Sequence, residues 1–174
     1  MMVRMAGFKF VAMSACFLAL AACSKKNTPT LETGGGAGIG ADGGNGGGGS
    51  ARPGSKNQFE TEIGDRIYFV VDQSTLTPEG EDTLNKQAQW LQQYSKVTIQ
   101  MEGHSDERGT REYNISLSAR RATAAREYLI AQGVPANRIA SIAYGKERPA
   151  ALCDADQCWN QNRRAVTVIT GGAK

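Results

Sequence analysis

GHSDERGTREYNISLSARR, residues Gly103 to Arg121, is the stretch whose reading decides the fold. It reads as the end of a strand, a short polar loop and the first turns of a helix. The loop carries His104, the only histidine of the chain, two residues before Asp106. If Leu117 sits at the centre of the helix's buried face, 3.6 residues per turn place Ala124 and Tyr128 within about 20° of it. Arg121 then lies about 40° away and Asn114 about 60° away, both inside the arc that should be apolar. A buried guanidinium is costly unless something anionic meets it. Two arrangements satisfy that demand: an internal ion pair with Asp106, or a pocket whose ligand carries complementary charges.

Working outward, Val97 to Glu102 reads as a strand that buries Val97, Ile99 and Met101 and exposes Thr98 and Gln100. The helix after the loop runs from about Glu112 to Gln132 and stops at Gly133, with Pro135 beyond it. Upstream, Arg66 to Val71 is rich in β-branched and aromatic residues and reads as another strand. Thr77 is the expected N-cap of a helix reaching Tyr94, with Pro78 in its first position and acidic residues in its first turn. Downstream, Ile139 to Tyr144 and Ala165 to Thr170 complete the set of strands. The order β-α-β-α-β-β predicts an α+β fold: a two-layer sandwich in which two helices cover one face of a mixed sheet.

The N-terminus has a different character. Arg4 and Lys9 precede an apolar run, Phe10 to Leu20, too short to span a bilayer, and Leu20-Ala21-Ala22-Cys23 follows. This arrangement resembles the signal and lipobox of bacterial lipoproteins, which makes residues 1–22 a signal peptide and Cys23 the lipidated residue. Acyl chains contribute roughly 0.8 kcal/mol per buried methylene, so several on Cys23 anchor firmly. Ser24 after the cysteine, rather than Asp, implies the outer membrane under the sorting rule of such lipoproteins. Residues 23–56 form a linker: Ser24 to Lys56 holds 12 of the chain's 21 glycines. That composition buries too little to offset its ordering entropy. As a coil it reaches roughly 30–35 Å on average. Its Gly-x-Gly patterns are compositional and do not make a phosphate loop. Residues 57–174 are the expected folded domain.

Composition removes several functions. From Asn57 onward 14 Lys/Arg face 15 Asp/Glu, so the domain lacks the basic face that nucleic acid requires. Outside the N-terminus no run of about 20 apolar residues exists to span a membrane. One histidine without a partner motif is a poor basis for a metal or acid–base centre, and the serines of the central stretch lack a nucleophile-elbow context. No catalytic group, metal site or cofactor is therefore expected. Cys153 and Cys158 remain once Cys16 and Cys23 leave with the signal and the lipid. In an oxidising compartment they form a disulfide across a polar loop, stabilising by roughly 2 kcal/mol in the chain-entropy model. The rival, half of a metal site, lacks a second ligand pair. Read this way, the disulfide staples a loop and performs no chemistry.

The segment GHSDERGTREYNISLSARRATAAREYL, followed by YGKERPA and NRRAVTV, resembles the OmpA-like/MotB-like family of peptidoglycan-binding domains. The likeness covers about Arg66 to Ile169, and lipid-anchored members of the family share the lipobox and linker. It implies a non-enzymatic domain that grips the diaminopimelate-containing stem peptide of the cell wall. The family's anchoring Asp and Arg fall on Asp106 and Arg121. Asn114 and Leu117 fall on positions that shape the same pocket, Asp72 borders it, and Arg164 stands beside it as a second wall. The resemblance also implies TolB, of the Tol envelope system, as a protein partner; the alternatives are a wall-binding lipoprotein outside that system and an envelope hydrolase. On this reading, replacing Asp106 or Arg121 by alanine abolishes wall binding and leaves thermal unfolding nearly unchanged.

Overall fold

A computed structural model describes residues 51–174, so the signal peptide, Cys23 and most of the linker lie outside the described residues. The elements run α1 (Lys56–Gln58), a π-helical turn (Phe59–Gly64), β1 (Arg66–Tyr68), α2 (Pro78–Gln93), β2 (Thr98–His104) and α3 (Arg111–Ala131). A 3-10 turn (Ala136–Arg138), β3 (Ile139–Gly145), α4 (Asp156–Asn162) and β4 (Arg164–Gly171) complete the chain. The four strands form one mixed sheet in the order β1-β4-β2-β3. β2 and β3 are parallel and joined by α3, whereas β4 runs antiparallel to both β1 and β2.

Local chemistry explains the boundaries. Thr77 caps α2 as expected, its hydroxyl accepting from the Gly80 N–H at 3.1 Å ahead of Pro78. Thr110 caps α3 by accepting from the Tyr113 N–H at 3.2 Å. Gly133, with φ of 93°, ends that helical segment in the left-handed region. β2 alternates as read: Ile99 and Met101 are buried and Thr98 is exposed. The buried face packs under α2 and α3 with Ile67, Phe69, Leu84, Leu91, Leu129 and Ile139.

Three features depart from the sequence reading. The folded unit reaches back past Asn57. Ser55 caps α1, and the π-helical turn buries Phe59 against Trp90, with ring centroids 4.9 Å apart. β1 ends at Tyr68 instead of Val71, because the backbone carbonyls beyond it are taken by Arg121. A fourth helix, α4, stands in the polar loop before β4, and Cys153 and Cys158 form the expected disulfide there, with Cα atoms 5.6 Å apart.

The approach of α3 to β2 has a strict steric requirement. A methyl group at Gly103 would lie 1.9 Å from the Ser118 carbonyl oxygen, a backbone atom that cannot swing aside. Gly103→Ala is therefore expected to cost about 3 kcal/mol or more. Chemical denaturation of the variant beside the wild type checks this.

Candidate functional site

Arg121 is the largest side chain in the fully buried set, with 0% exposure. It forms no ion pair with Asp106. Its Nε donates to the Gln73 carbonyl at 2.8 Å, Nη1 to His104 O at 2.9 Å and Nη2 to Val70 O at 3.2 Å. The guanidinium carbon lies 5.2 Å from the centre of the Phe69 ring. Three of the five N–H donors of the group are thus committed to backbone oxygens. Burial pushes its pKa down to about 10, opposed by the negative charges of Asp106 and Asp72, so it remains a cation at neutral pH.

The helix face also differs from the expected one. The buried residues of α3 are Asn114, Leu117, Ser118, Arg121, Ala122, Ala125 and Leu129. At 100° per residue their arc runs from Leu117 through about 140° to Ala122, which sets Arg121 and Asn114 well inside it. Leu117 marks an edge instead of the centre, and Ala124 and Tyr128 are only half buried. Small residues at the middle of this face leave room for the two polar side chains.

Two loops converge above Arg121. In the first, the Gln73 N–H donates to Val70 O at 3.2 Å, closing a turn that holds Asp72 at φ 61°. That conformation is uncommon outside glycine and best tolerated by Asn or Asp. The same turn supplies two of the carbonyls bound by Arg121, so the cation fixes the loop that carries Asp72. In the second loop, the Asn114 side chain donates to Arg108 O at 2.7 Å, and Lys146 Nζ reaches Glu107 O and Gly109 O.

Between the loops lies a cleft of about 450 Å³. Asp72, Asp106, Asn114, Leu117 and Arg121 all line it, together with Arg108, Gly109 and Tyr113. Asp106 is occupied by two guanidinium groups: Arg108 Nη2 at 2.7 Å and Arg163 Nη1 at 3.2 Å, both on Oδ2. Burial alone would raise its pKa. The hydrogen bonds from Arg108 and Arg163 outweigh that and hold the carboxyl below its usual range.

Arg164 does not belong to this group. Its guanidinium donates to the carbonyls of Asn162 and Arg148, and it is not part of the cleft lining. The reason is strand parity. Arg163 shares the phase of Ala165 and Thr167, which β4 buries on the helix side, whereas Arg164 takes the opposite phase. Arg163 is the arginine that sequence reasoning missed, and Ala-Val-Thr-Val-Ile-Thr gave no clear alternation from which to fix the phase. A larger cleft of about 700 Å³, mainly apolar, opens along the outer edge of β1. Arg163 lines it as well, but neither Asp106 nor Arg108 does.

His104 is the last residue of β2 and not part of the loop in which the sequence reading placed it. It is 2% exposed, and neither ring nitrogen makes a hydrogen bond. The ring lies 5.5 Å from that of Tyr144, and Glu102 Oε2 is 3.7 Å from Nε2. Desolvation, helped by Arg164 and Arg148, lowers its pKa from 6.5 to about 4. Among the described residues no cluster of His, Cys, Asp or Glu is arranged to hold a metal.

A family model for the OmpA family matches residues 68–164. A peptidoglycan-associated lipoprotein of Brucella melitensis is 52% identical over 158 residues, covering 90% of this chain and 89% of the relative. One from Pseudomonas aeruginosa is 38% identical over 90% of this chain and 93% of its own length. The crystal structure of the peptidoglycan-associated lipoprotein from Burkholderia pseudomallei superposes with a TM-score of 0.61 at 34% identity, covering 64% of this chain and 96% of that one. The C-terminal domain of Helicobacter pylori MotB, 22% identical with a TM-score of 0.58, shares the fold.

Two outcomes test this geometry. Because His104 is neutral when folded and takes up a proton near pH 6.5 when unfolded, its stabilisation is complete above 6.5 and is lost as pH falls to about 4. Between pH 7 and 4.5 the loss is on the order of 2 kcal/mol. Thermal unfolding from pH 7 to 4.5 should show the decline, and His104→Phe should flatten it. The second outcome revises the expectation of unchanged unfolding: Arg121→Ala takes a donor from three backbone carbonyls, of which Val70 O keeps the Gln73 N–H. It should cost about 3–5 kcal/mol in denaturant unfolding.

Proposed function

The chain belongs to the OmpA family, among its peptidoglycan-associated lipoproteins, and from that premise we propose that it holds the cell wall through the diaminopimelate residue of the stem peptide. The observation that carries this reading is one cleft of about 450 Å³ with an ionised carboxylate, Asp106, at its wall and a buried cation, Arg121, at its floor. The free end of diaminopimelate bears an ammonium and a carboxylate. Asp106 accepts from the ammonium, and the carboxylate is drawn to Arg121, whose planar donor fork suits it. Asp72 adds a second acceptor at the mouth, while Asn114 and Leu117 shape the wall. A lysine-type stem peptide lacks the carboxylate and leaves the buried cation without its ligand partner.

The wider role follows from adding the N-terminal reading. Acylated Cys23 fixes the chain to the periplasmic face of the outer membrane, and the Gly-rich linker lets the domain reach the wall. Lipid and wall contacts made together hold better than either alone, provided the linker spans the gap. The protein then acts as a tether and not as an enzyme. The family resemblance supplies TolB as its protein partner, with a part in envelope integrity and cell division.

Sedimentation with purified sacculi tests the reading. The detergent-solubilised chain should pellet with diaminopimelate-type wall, stay soluble with lysine-type wall and release no muropeptides. Asp106→Asn should lower the pelleted fraction at least tenfold. Equal pelleting of that variant, or release of wall fragments, would refute the proposal.

A further inference from the structure

The carboxylate that is to receive the ligand's ammonium is already taken. Arg108 meets Asp106 through its backbone N–H at 3.3 Å, Nε at 3.4 Å and Nη2 at 2.7 Å. This guanidinium is itself held from the other side: its carbon stands 4.1 Å from the ring centre of Trp159. The indole N–H of Trp159 donates to Glu107 Oε1, so the ring is pinned to the same loop. Arg108 is thereby sandwiched between an aromatic face and the candidate binding carboxylate.

Trp159 is placed by the disulfide. It sits on α4, a helix of seven residues whose N-cap, Ala155, offers no side-chain acceptor. So short and poorly capped a helix is marginal by itself. Its C-terminal end is secured by Asn162, whose side chain accepts from Ala150 N and Ala151 N and donates to Ala151 O. At the N-terminal end, the bond from Cys158 in the first turn to Cys153 does the work a cap would do.

We infer that Trp159 is a positioning residue of the binding site, holding Arg108 on Asp106 so that a ligand ammonium must displace it, and that the Cys153–Cys158 bond keeps Trp159 in place. The inference rests on the reading of Asp106 proposed above. Ligand affinity is then set partly from outside the cleft, by a helix that never touches the ligand. A cation over an indole face at a partly exposed site contributes about 0.5–1 kcal/mol, a factor of roughly two to five in affinity.

The experiment titrates the detergent-solubilised full-length chain with a soluble disaccharide-tetrapeptide muropeptide of the diaminopimelate type, by calorimetry and by tryptophan emission. Trp159→Ala should bind about two- to fivefold more tightly than wild type. Trp159→Phe keeps a ring under the guanidinium and should return to within twofold of the wild-type affinity. Cys153→Ser/Cys158→Ser should shift affinity in the direction of Trp159→Ala. So should a dithiol, which gives two electrons and two protons to the disulfide and is itself oxidised to one. Ligand should change the emission of the wild type but not of Trp159→Phe, whose remaining Trp90 is buried beside Phe59 and Tyr94. Wild-type binding with Trp159→Ala no tighter, or with no emission change, overturns the inference and leaves the ligand reading standing. A silent wild type overturns the ligand reading, and this inference falls with it.

Discussion

A guanidinium with no exposure to water, bonded to three backbone oxygens, organises the structure around it. Isolated burial of such a charge is unfavourable, and in this chain acceptors from two separate places offset it. Val70 and Gln73 come from the turn after β1, and His104 from the end of β2. Arg121 therefore joins the helix that carries it to the turn after β1 and to the end of β2. β1 ends early and Asp72 adopts a left-handed backbone because the turn between them is wrapped on this cation. The candidate binding cleft is the space that the loops after β1 and β2 leave above it.

On the proposed reading, structural and ligand-directed duties fall on the same group. Asp106 shows a parallel economy. Its charge is preserved by two arginines, and the more exposed of them, Arg108, is on the proposed reading the group a ligand ammonium would replace. Binding at such a site is an exchange of partners, so its net strength is set by how firmly the resident cation is held. That is the physical route by which, on our inference, Trp159 and α4 bear on a cleft they do not line.

The strands, both long helices and the Thr77 cap were legible because alternation, helical period and capping chemistry are local. Arg121 and Asn114 stood out as polar residues on an otherwise apolar helix face with Asp106 close by in the loop, whereas Asp72 and Leu117 were grouped with them by the family motif alone. What escaped was settled by long-range contacts. The carbonyl acceptors that meet Arg121, which the sequence reading did not foresee, come in part from residues about 50 positions away. Arg163 was passed over for Arg164 because β4 carries small and β-branched residues in both phases. The α1 segment and α4 are too short for periodicity to register, and α4 depends on a disulfide and on Asn162 more than on propensity.

The claim that most needs direct measurement is that the buried cation reads a carboxylate. Two soluble muropeptides that differ only in whether the side-chain carboxylate of diaminopimelate is free or amidated isolate that contact, since both retain the ammonium. Calorimetric titration of the wild-type chain should give binding of the free acid at least tenfold stronger than of the amide. Equal affinities would mean that Arg121 serves the fold alone and that the ligand is recognised elsewhere.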